Sequence, residues 1–379
     1  MSTNTGPSGS VLHSAQGAPG RLWFIGGFPP PLNGQSNANK AMHDHLADAG
    51  VPLVVHDIGS GAGKIVRTLR TALALLARAT RDDRAYLSVP GQLGVWLFVP
   101  IALALRMRGV EHFIHHHSFR PINLGPLCGM RALVRAGGAR QSHILLSQQM
   151  SRRFAALYLP QAPDRALTLS NAYLFGPQAK LHERLPRPFT LGHMSVLTKE
   201  KGVAYLLDLF DALADRHPGW RLVIAGPCHD TDLAARLEQA VARHGGRVDY
   251  RGSVSGAEKE RFLADIDLFV LPTTLIDEAE PLVMLEAFAS GVDVVATDTG
   301  CIRDRVRSPD HLLSRQPGQD AALIAARAAD LEQDWAGQRM ACVEHARAIK
   351  READREAERV LPRLANGLAG FAIHAKPMT

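Results

Sequence analysis

The sequence predicts an α/β chain built as two doubly wound, Rossmann-like domains that face each other across a cleft. Two observations lead there. Short apolar runs alternate with segments of helical period from residue 22 to residue 170, and the alternation restarts at residue 189. Between the two series, Gly176, Pro177, Pro186 and Pro188 punctuate a stretch that reads as a linker. With 379 residues the chain is long enough for two cores. The expected division is a polar, disordered segment over 1–20, a first domain over 21–175, a second over 176–350 and a last helical segment over 351–379.

The first series opens with a buried strand at 22–25. It runs into Gly26-Gly27-Phe28-Pro29-Pro30-Pro31-Leu32-Asn33-Gly34-Gln35-Ser36 and then a helix over about 37–49. A strand, a Gly/Pro-rich loop and a helix N-terminus together make an anion-accepting corner. The spacing is not G-x-G-x-x-G, which excludes a dinucleotide fingerprint. Gly61-Ala62-Gly63-Lys64 lacks the glycine spacing and the following Ser or Thr of a P-loop. Strands at 51–57 and 85–89 alternate with helices at 64–80 and 92–108. The strand containing 112–114 ends in His115-His116-His117. Alternate strand side chains point to opposite faces, so the three cannot all hold one metal, although His115 and His117 share a face and could in principle chelate. A strand at 142–147, a helix at 148–158 and a strand at 167–170 complete this series.

The second series places a strand at 189–194, a helix at 203–214 opened by Lys201-Gly202, a strand at 220–225 and a helix at 232–244. A strand at 248–251 precedes Gly252-Ser253-Val254, and another at 268–271 feeds the most informative stretch, Asp277 to Gly300. That stretch reads as loop, helix, strand. Pro281 suits a first helical turn, Gly291 ends the helix, and 292–297 is a short buried strand. The helix start aims free N–H groups near Leu282 and Val283 at whatever binds the loop, a good place for a diphosphate. Glu286, one turn deeper, can accept hydrogen bonds from a ribose diol, and Glu278 lies outside the helix, towards a sugar. Residues 319–368 read as mostly helical.

Composition is that of a soluble globular protein with a net charge of +6, unevenly spread. From Asp57 to Arg165 there are 15 Lys and Arg against 5 Asp and Glu. Such a face suits an anionic membrane surface, a lipid diphosphate or nucleic acid, or is an Arg-rich surface without a partner. Cys128, Cys228, Cys301 and Cys342 are far apart, which excludes a cysteine-pair zinc site and fits a reducing compartment. No secretory signal pattern opens the chain, so the expected location is cytoplasmic. The apolar run 93–105 is too short to span a bilayer and reads as a buried helix.

The run Glu278-Ala279-Glu280-Pro281, four residues, then Glu286-Ala287-Phe288-Ala289-Ser290-Gly291-Val292-Asp293-Val294-Val295 resembles the E-x7-E signature of retaining GT-B glycosyltransferases, in particular family four. The family pattern is roughly E-G-F-G-x-x-x-x-E-A-x-A-x-G-x-P-V-V. Both carboxylates and the E-A-x-A-x-G run match, while G-F-G is A-E-P here and P-V-V is D-V-V. The loop around Gly34 looks like the branch that builds bacterial surface polysaccharides. The resemblance implies a GT-B fold whose last helix crosses back onto the first domain. It implies a nucleotide-sugar donor on the second domain and a glycan or lipid-linked acceptor on the first. A hexose would be transferred with retention, without a cofactor or metal. Implied roles are Glu278 and His117 at the sugar, with His115 as second choice for the histidine. Gly34, Lys201, Leu282 and Val283 would serve the diphosphate, Glu286 the ribose, and Val254 would lie near the base.

The family arginine ahead of Lys201-Gly202 is missing. Its slot holds His193 counted from the glycine, or Val196 counted back from the lysine. Ser170-Asn171-Ala172 stands where the family has P-N-G, and Cys301-Ile302-Arg303-Asp304 where it has G-x-P-E. Asp230-x-Asp232 and Asp265-x-Asp267 match the D-x-D metal motif of the other glycosyltransferase fold, and both read as chance. A GT-B sugar epimerase and a non-catalytic glycan-binding protein fit the same pattern. Among partners, peripheral contact with an anionic membrane is expected and nucleic acid is not.

Overall fold

The computed structural model of the chain describes residues 20–30, 34–59, 61, 63–174 and 187–365. Except for Gly20, the N-terminal segment expected to be disordered lies outside them, as does most of the expected linker.

The first sheet is formed by β1 (Leu22–Gly26), β2 (Leu53–Asp57), β3 (Arg84–Val89), β4 (Glu111–His116), β5 (Gln141–Leu145) and β6 (Ala166–Thr168). All are parallel, in the order β2-β1-β3-β4-β5-β6. Parallel strands need crossovers, supplied by α1 (Gly34–Asp48), α2 (Lys64–Arg78), α3 (Phe98–Arg108), α4 (Arg120–Asn123), α5 (Cys128–Gly137) and α6 (Gln148–Tyr158). The second sheet runs β12-β11-β10-β7-β8-β9, also parallel. Its strands are β7 (Thr190–Met194), β8 (Arg221–Ala225), β9 (Val248–Tyr250), β10 (Leu268–Leu271), β11 (Asp293–Thr297) and β12 (Leu312–Leu313). Its helices are α7 (Val203–Arg216), α8 (Thr231–His244), α9 (Gly256–Asp265), α10 (Leu282–Ala289), α11 (Pro317–Gln333) and α12 (Trp335–Ala365).

Some boundaries differ from the sequence reading. The helix expected over 92–108 divides into a 3-10 turn, Leu93–Leu97, and α3. Pro100 is the cause: it has no N–H for the carbonyl of Trp96, so it fits only in a first turn. Helices α5 and α9 are not anticipated from the sequence, although α5 carries an apolar stripe that buries Met130 and Leu133. Only Phe262 and Leu263 of α9 are buried.

Each sheet is covered on both faces. Helices α2, α3, α5 and α6 close one side of the first sheet, with Leu75, Ile101, Leu133 and Phe154 fully buried. Its other side packs on α1 and on the C-terminal half of α12. That helix begins in the second domain, where Cys342 and Ala346 join the core beneath α9 and α10. From Ile349 onward Ala353, Ala357, Val360, Leu361 and Leu364 pack against Leu22, Phe24, Tyr86 and Phe113 of the first sheet. One helix therefore belongs to both cores.

Asp293, which replaces the family proline of P-V-V, is fully buried at the start of β11. It lies 2.6 Å from Arg327, 3.3 Å from Arg307 and 3.4 Å from His311. Burial alone raises its pKa, but His311 and the two guanidiniums prevail and hold it at about 2. The aspartate at this position joins β11 to α11 and to the segment before β12.

Because α12 is a shared core element, Leu364→Ala should cost about 2–5 kcal/mol of stability. Urea unfolding measures this, and an unchanged midpoint would mean that the end of α12 is not part of the first core.

Candidate active site

In open parallel sheets, ligands bind beyond the carboxyl ends of strands where the strand order reverses. Here those points lie between β1 and β3 in the first sheet and between β7 and β10 in the second. The loops leaving them carry the residues singled out from sequence. The loop after β1 reaches Gly34, the first residue of α1, exposed and with open space where a Cβ would stand. The residues just before it, 31–33, lie outside the described ones. The loop after β7 carries Lys201, and the loop after β10 carries Glu278.

Lys201 and Glu278 meet: Lys201 Nζ donates to Glu278 Oε2 at 2.6 Å, and both side chains are largely buried. Two glycines make this approach possible. Gly202 caps α7 at φ 79°, and a Cβ there would stand 2.2 Å from the Pro272 carbonyl oxygen. Gly300, at φ 62°, lies so that a Cβ would come 2.3 Å from the Glu278 carbonyl oxygen. Any side chain at either position would push the two loops apart.

Three residues on, Pro281 caps α10 and its carbonyl takes the Met284 N–H. The N–H groups of Leu282 and Val283 have no acceptor among the described residues. They are the first two donors of an eight-residue helix, at its positive end. Glu286 lies on the same helix and accepts from Lys259 Nζ of α9 through Oε1, at 2.6 Å. Lys259 was not found from sequence, because α9 itself was not. Val254 follows β9 and packs half-buried against the core beneath α10.

At the end of β4, the alternation expected for the histidines is present. The His115 and His117 rings lie 4.1 Å apart on one face. His116 points the other way, stacked on His143 with a 2.9 Å contact between ring nitrogens. Tyr86 Oη meets His115 Nδ1 at 2.6 Å. Both ring nitrogens of His117 are buried with no partner among the described residues, and burial pushes its pKa down to about 4. A neutral ring with both nitrogens free can donate one hydrogen bond and accept another.

Comparison with known proteins bears on the fold. HepE of Anabaena, solved in complex with UDP, superposes with a TM-score of 0.64 over 91% of this chain and 99% of its own, at 18% identity. WaaG, a glycosyltransferase involved in lipopolysaccharide biosynthesis, superposes with a TM-score of 0.57 over 92% and 100%, at 14% identity. The fold is GT-B. Residues 179–349 match the family model described as Glycosyl transferases group 1. Phosphatidyl-myo-inositol mannosyltransferase of Mycobacterium tuberculosis is 33% identical over 138 residues, 35% of each chain. The chain thus spans about a third of the length of this curated relative.

Within the GT-B frame, the slot of the missing arginine resolves. His193 is fully buried in β7, with Nδ1 2.9 Å from the Val270 carbonyl and Nε2 2.9 Å from Ser195 Oγ. Burial, with Lys201 nearby, lowers its pKa to about 4, so it is neutral and offers no positive charge. Val196, the other slot, is exposed and apolar. A cation that sequence reasoning missed lies nearby. Arg315, the one non-glycine residue at positive φ among those described, donates to the Pro272 carbonyl at 2.8 Å and so braces the loop leading to Glu278. The D-x-D pairs are engaged elsewhere. Asp230 caps α8 through the Leu233 N–H, Asp232 and Asp230 both face Lys199, Asp265 pairs with Arg251, and Asp267 with Arg187.

The departures from the family pattern make contact across the cleft. Glu280, of A-E-P, accepts from Ser170 Oγ at 2.8 Å and from Asn171 N at 2.7 Å, the two residues standing for P-N. Arg305 completes the cluster, its Nε donating to Glu280 Oε1 at 2.6 Å and its Nη2 to the Leu146 carbonyl at 3.0 Å. On the other side of Glu278, Asp277 receives both arms of Arg120, at 2.9 and 2.8 Å, and Ser118 Oγ at 2.8 Å. Burial raises the Asp277 pKa, but these donors outweigh it and the net shift is downward.

Glu280→Ala would strand the Arg305 guanidinium, which is buried. We expect a loss of about 3–5 kcal/mol, read by chemical denaturation. A fall below ~1 kcal/mol would show that the cluster does not join the domains energetically.

Proposed function

We propose that this chain is a nucleotide-sugar-dependent glycosyltransferase. It moves a hexose with retention of configuration to a glycan or lipid-linked acceptor, in the synthesis of bacterial surface polysaccharide at the inner face of the cytoplasmic membrane. One observation carries the reading: the Lys201–Glu278 pair stands beside the open N–H end of α10, with Glu286 on the same helix, at the switch point of the second sheet. The group 1 match over the second domain, the mannosyltransferase relative and the UDP complex of HepE support a nucleotide-sugar donor on that domain.

The chemistry follows from the charges. A diphosphate at the N-terminus of α10 receives the Leu282 and Val283 N–H groups and competes with Glu278 for Lys201. As Lys201 turns to the phosphates, the Glu278 carboxylate becomes available to the sugar hydroxyls and to oxocarbenium-like charge. Negative charge growing on the leaving diphosphate is met by fixed donors that need no reorganisation. Lys259 holds one oxygen of Glu286, and the other accepts from the ribose diol. Neutral His117 binds a sugar hydroxyl, satisfying a ring that is otherwise buried without partners. Gly34 leaves room for the diphosphate and the acceptor at the facing switch point. Attack then comes from the face that the diphosphate leaves. Positive charge at the phosphates is supplied by Lys201 and the helix, and no metal is required.

Glu286→Ala should weaken nucleotide binding in calorimetry, and Glu278→Ala should chiefly lower kcat, each by about ten- to a hundredfold for a charged hydrogen bond of roughly 1.5–3 kcal/mol. Wild-type values in both variants would refute the site. Transfer should also persist in EDTA. Abolition by chelation with recovery on Mg2+ or Mn2+ would replace this mechanism by a metal-assisted one.

A further inference from the structure

The loop that carries Asp277 and Glu278 leaves β10 and belongs to the second domain, yet Asp277 is held by the first. Its Oδ1 accepts from Ser118 Oγ at 2.8 Å and from Arg120 Nε at 2.9 Å. Its Oδ2 accepts from Arg120 Nη2 at 2.8 Å and from Gln92 Nε2 at 3.2 Å. Two parallel bonds from one guanidinium fix the plane of the carboxylate as well as its distance. The backbone is held too. The Phe119 N–H donates to the Asp277 carbonyl at 3.2 Å, and Asn123 Nδ2 donates to the Ile276 carbonyl at 3.1 Å. Among the described residues, all four hydrogen bonds to the Asp277 carboxylate come from the first domain.

Ser118 follows His117 in the chain, and Asp277 precedes Glu278. The Ser118–Asp277 hydrogen bond therefore joins, across the cleft, the neighbour of one sugar-site residue to the neighbour of the other. Room for it comes from Gly91, just beyond β3. A Cβ at Gly91 would stand 2.0 Å from Ser118 Oγ and 3.3 Å from Asp277 Oδ1. Its φ is not positive, so the demand for glycine there is one of space. The next residue is Gln92, which donates to the same carboxylate.

The two ties between this loop and the first domain differ in kind. Glu280 and Arg305 have side chains 0% and 6% exposed, whereas Asp277 and Arg120 keep 19% and 29%. Breaking a buried pair strands a charge away from water, and a pair that water reaches pays far less for parting. The Glu280 cluster suits a permanent joint. The Asp277–Arg120 pair suits a contact that opens and re-forms, and whose contribution is the alignment of what lies on either side of it.

We propose that Asp277 and Arg120 are positioning residues: their pair, with Ser118 beside it, docks the loop of Glu278 on the turn between β4 and α4 and so sets Glu278 and His117 about one sugar. The role given to the sugar rests on the transferase reading; the docking does not.

The test takes Arg120→Ala, Asp277→Ala, the double variant, Arg120→Lys and Gly91→Ala in the full chain. Hydrogen exchange at the Phe119 amide reads docking without any turnover, because the carbonyl it meets survives in every variant. Exchange there should quicken more than tenfold in both single alanine variants and in Gly91→Ala, while the Phe113 amide in β4 and the thermal midpoint stay as in wild type. With the nucleotide sugar that wild type consumes, kcat should fall about ten- to a hundredfold and KM for the donor should hold, since the proposed diphosphate and ribose contacts all lie in the second domain. The double variant should be no slower than either single one, and Arg120→Lys should recover part of the loss. Unchanged Phe119 exchange in both single variants would overturn the docking. Faster exchange with wild-type kcat would overturn the positioning role, as would single losses that multiply in the double variant. A fall in kcat matched by a fall in the thermal midpoint would assign the pair to stability alone. A wild type that consumes no nucleotide sugar sinks the transferase reading, and Phe119 exchange still decides the docking.

Discussion

Asp277, Glu278 and Glu280 tie one short loop to both domains at once, and the cleft takes its shape from that. Asp277 reaches Arg120 in the first domain, Glu280 reaches Ser170 and Asn171 there, and Glu278 between them turns back to Lys201 in the second. Charge-assisted hydrogen bonds to a partly buried carboxylate are each worth roughly 1.5–3 kcal/mol. Separating the domains at this loop breaks several of them and releases the backbone on both sides of Glu278. The position of one carboxylate and the closure of the molecule are therefore a single structural property.

Much of this could be read from the chain. The alternation of elements, the helix from Leu282, the lysine–glycine start of α7 and the shared face of His115 and His117 follow from local periodicity and turn chemistry. What escaped is of a different kind. Arg120 and Asp277 are 157 positions apart, and Asn171 and Glu280 are 109 apart. Nothing local marks such residues as partners. Lys259 was missed because its helix buries too little to show a stripe. That His193, in the slot of the arginine, is buried in β7 and neutral depends on packing that the local sequence does not show.

The substitutions that set this chain apart from the family pattern are not scattered losses. Glu280 in place of phenylalanine, Ser170-Asn171 in place of Pro-Asn, and Arg305 beyond the missing proline–glutamate pair form one hydrogen-bonded cluster. Asp293 in place of proline serves a second cluster with Arg307 and Arg327. Each acidic replacement arrives with its cationic partner, as burial of charge demands. With Ala279 and Pro281 where the pattern has glycines, this loop is held by side chains instead.

The shared helix has a consequence for biosynthesis. Leu22, Phe24, Tyr86 and Phe113 lie on strands made early, yet their covering residues, Ile349 to Leu364, come more than 200 positions after the last of them. As the chain leaves the ribosome, the first sheet waits with one oily side covered only in part, by α1, while the entire second half is translated. The later domain has nearly all its own parts before the earlier one does. Such a nascent chain calls for a holdase on its leading half, and a ribosome stalled ahead of codon 349 would release a product that sticks to its neighbours instead of folding.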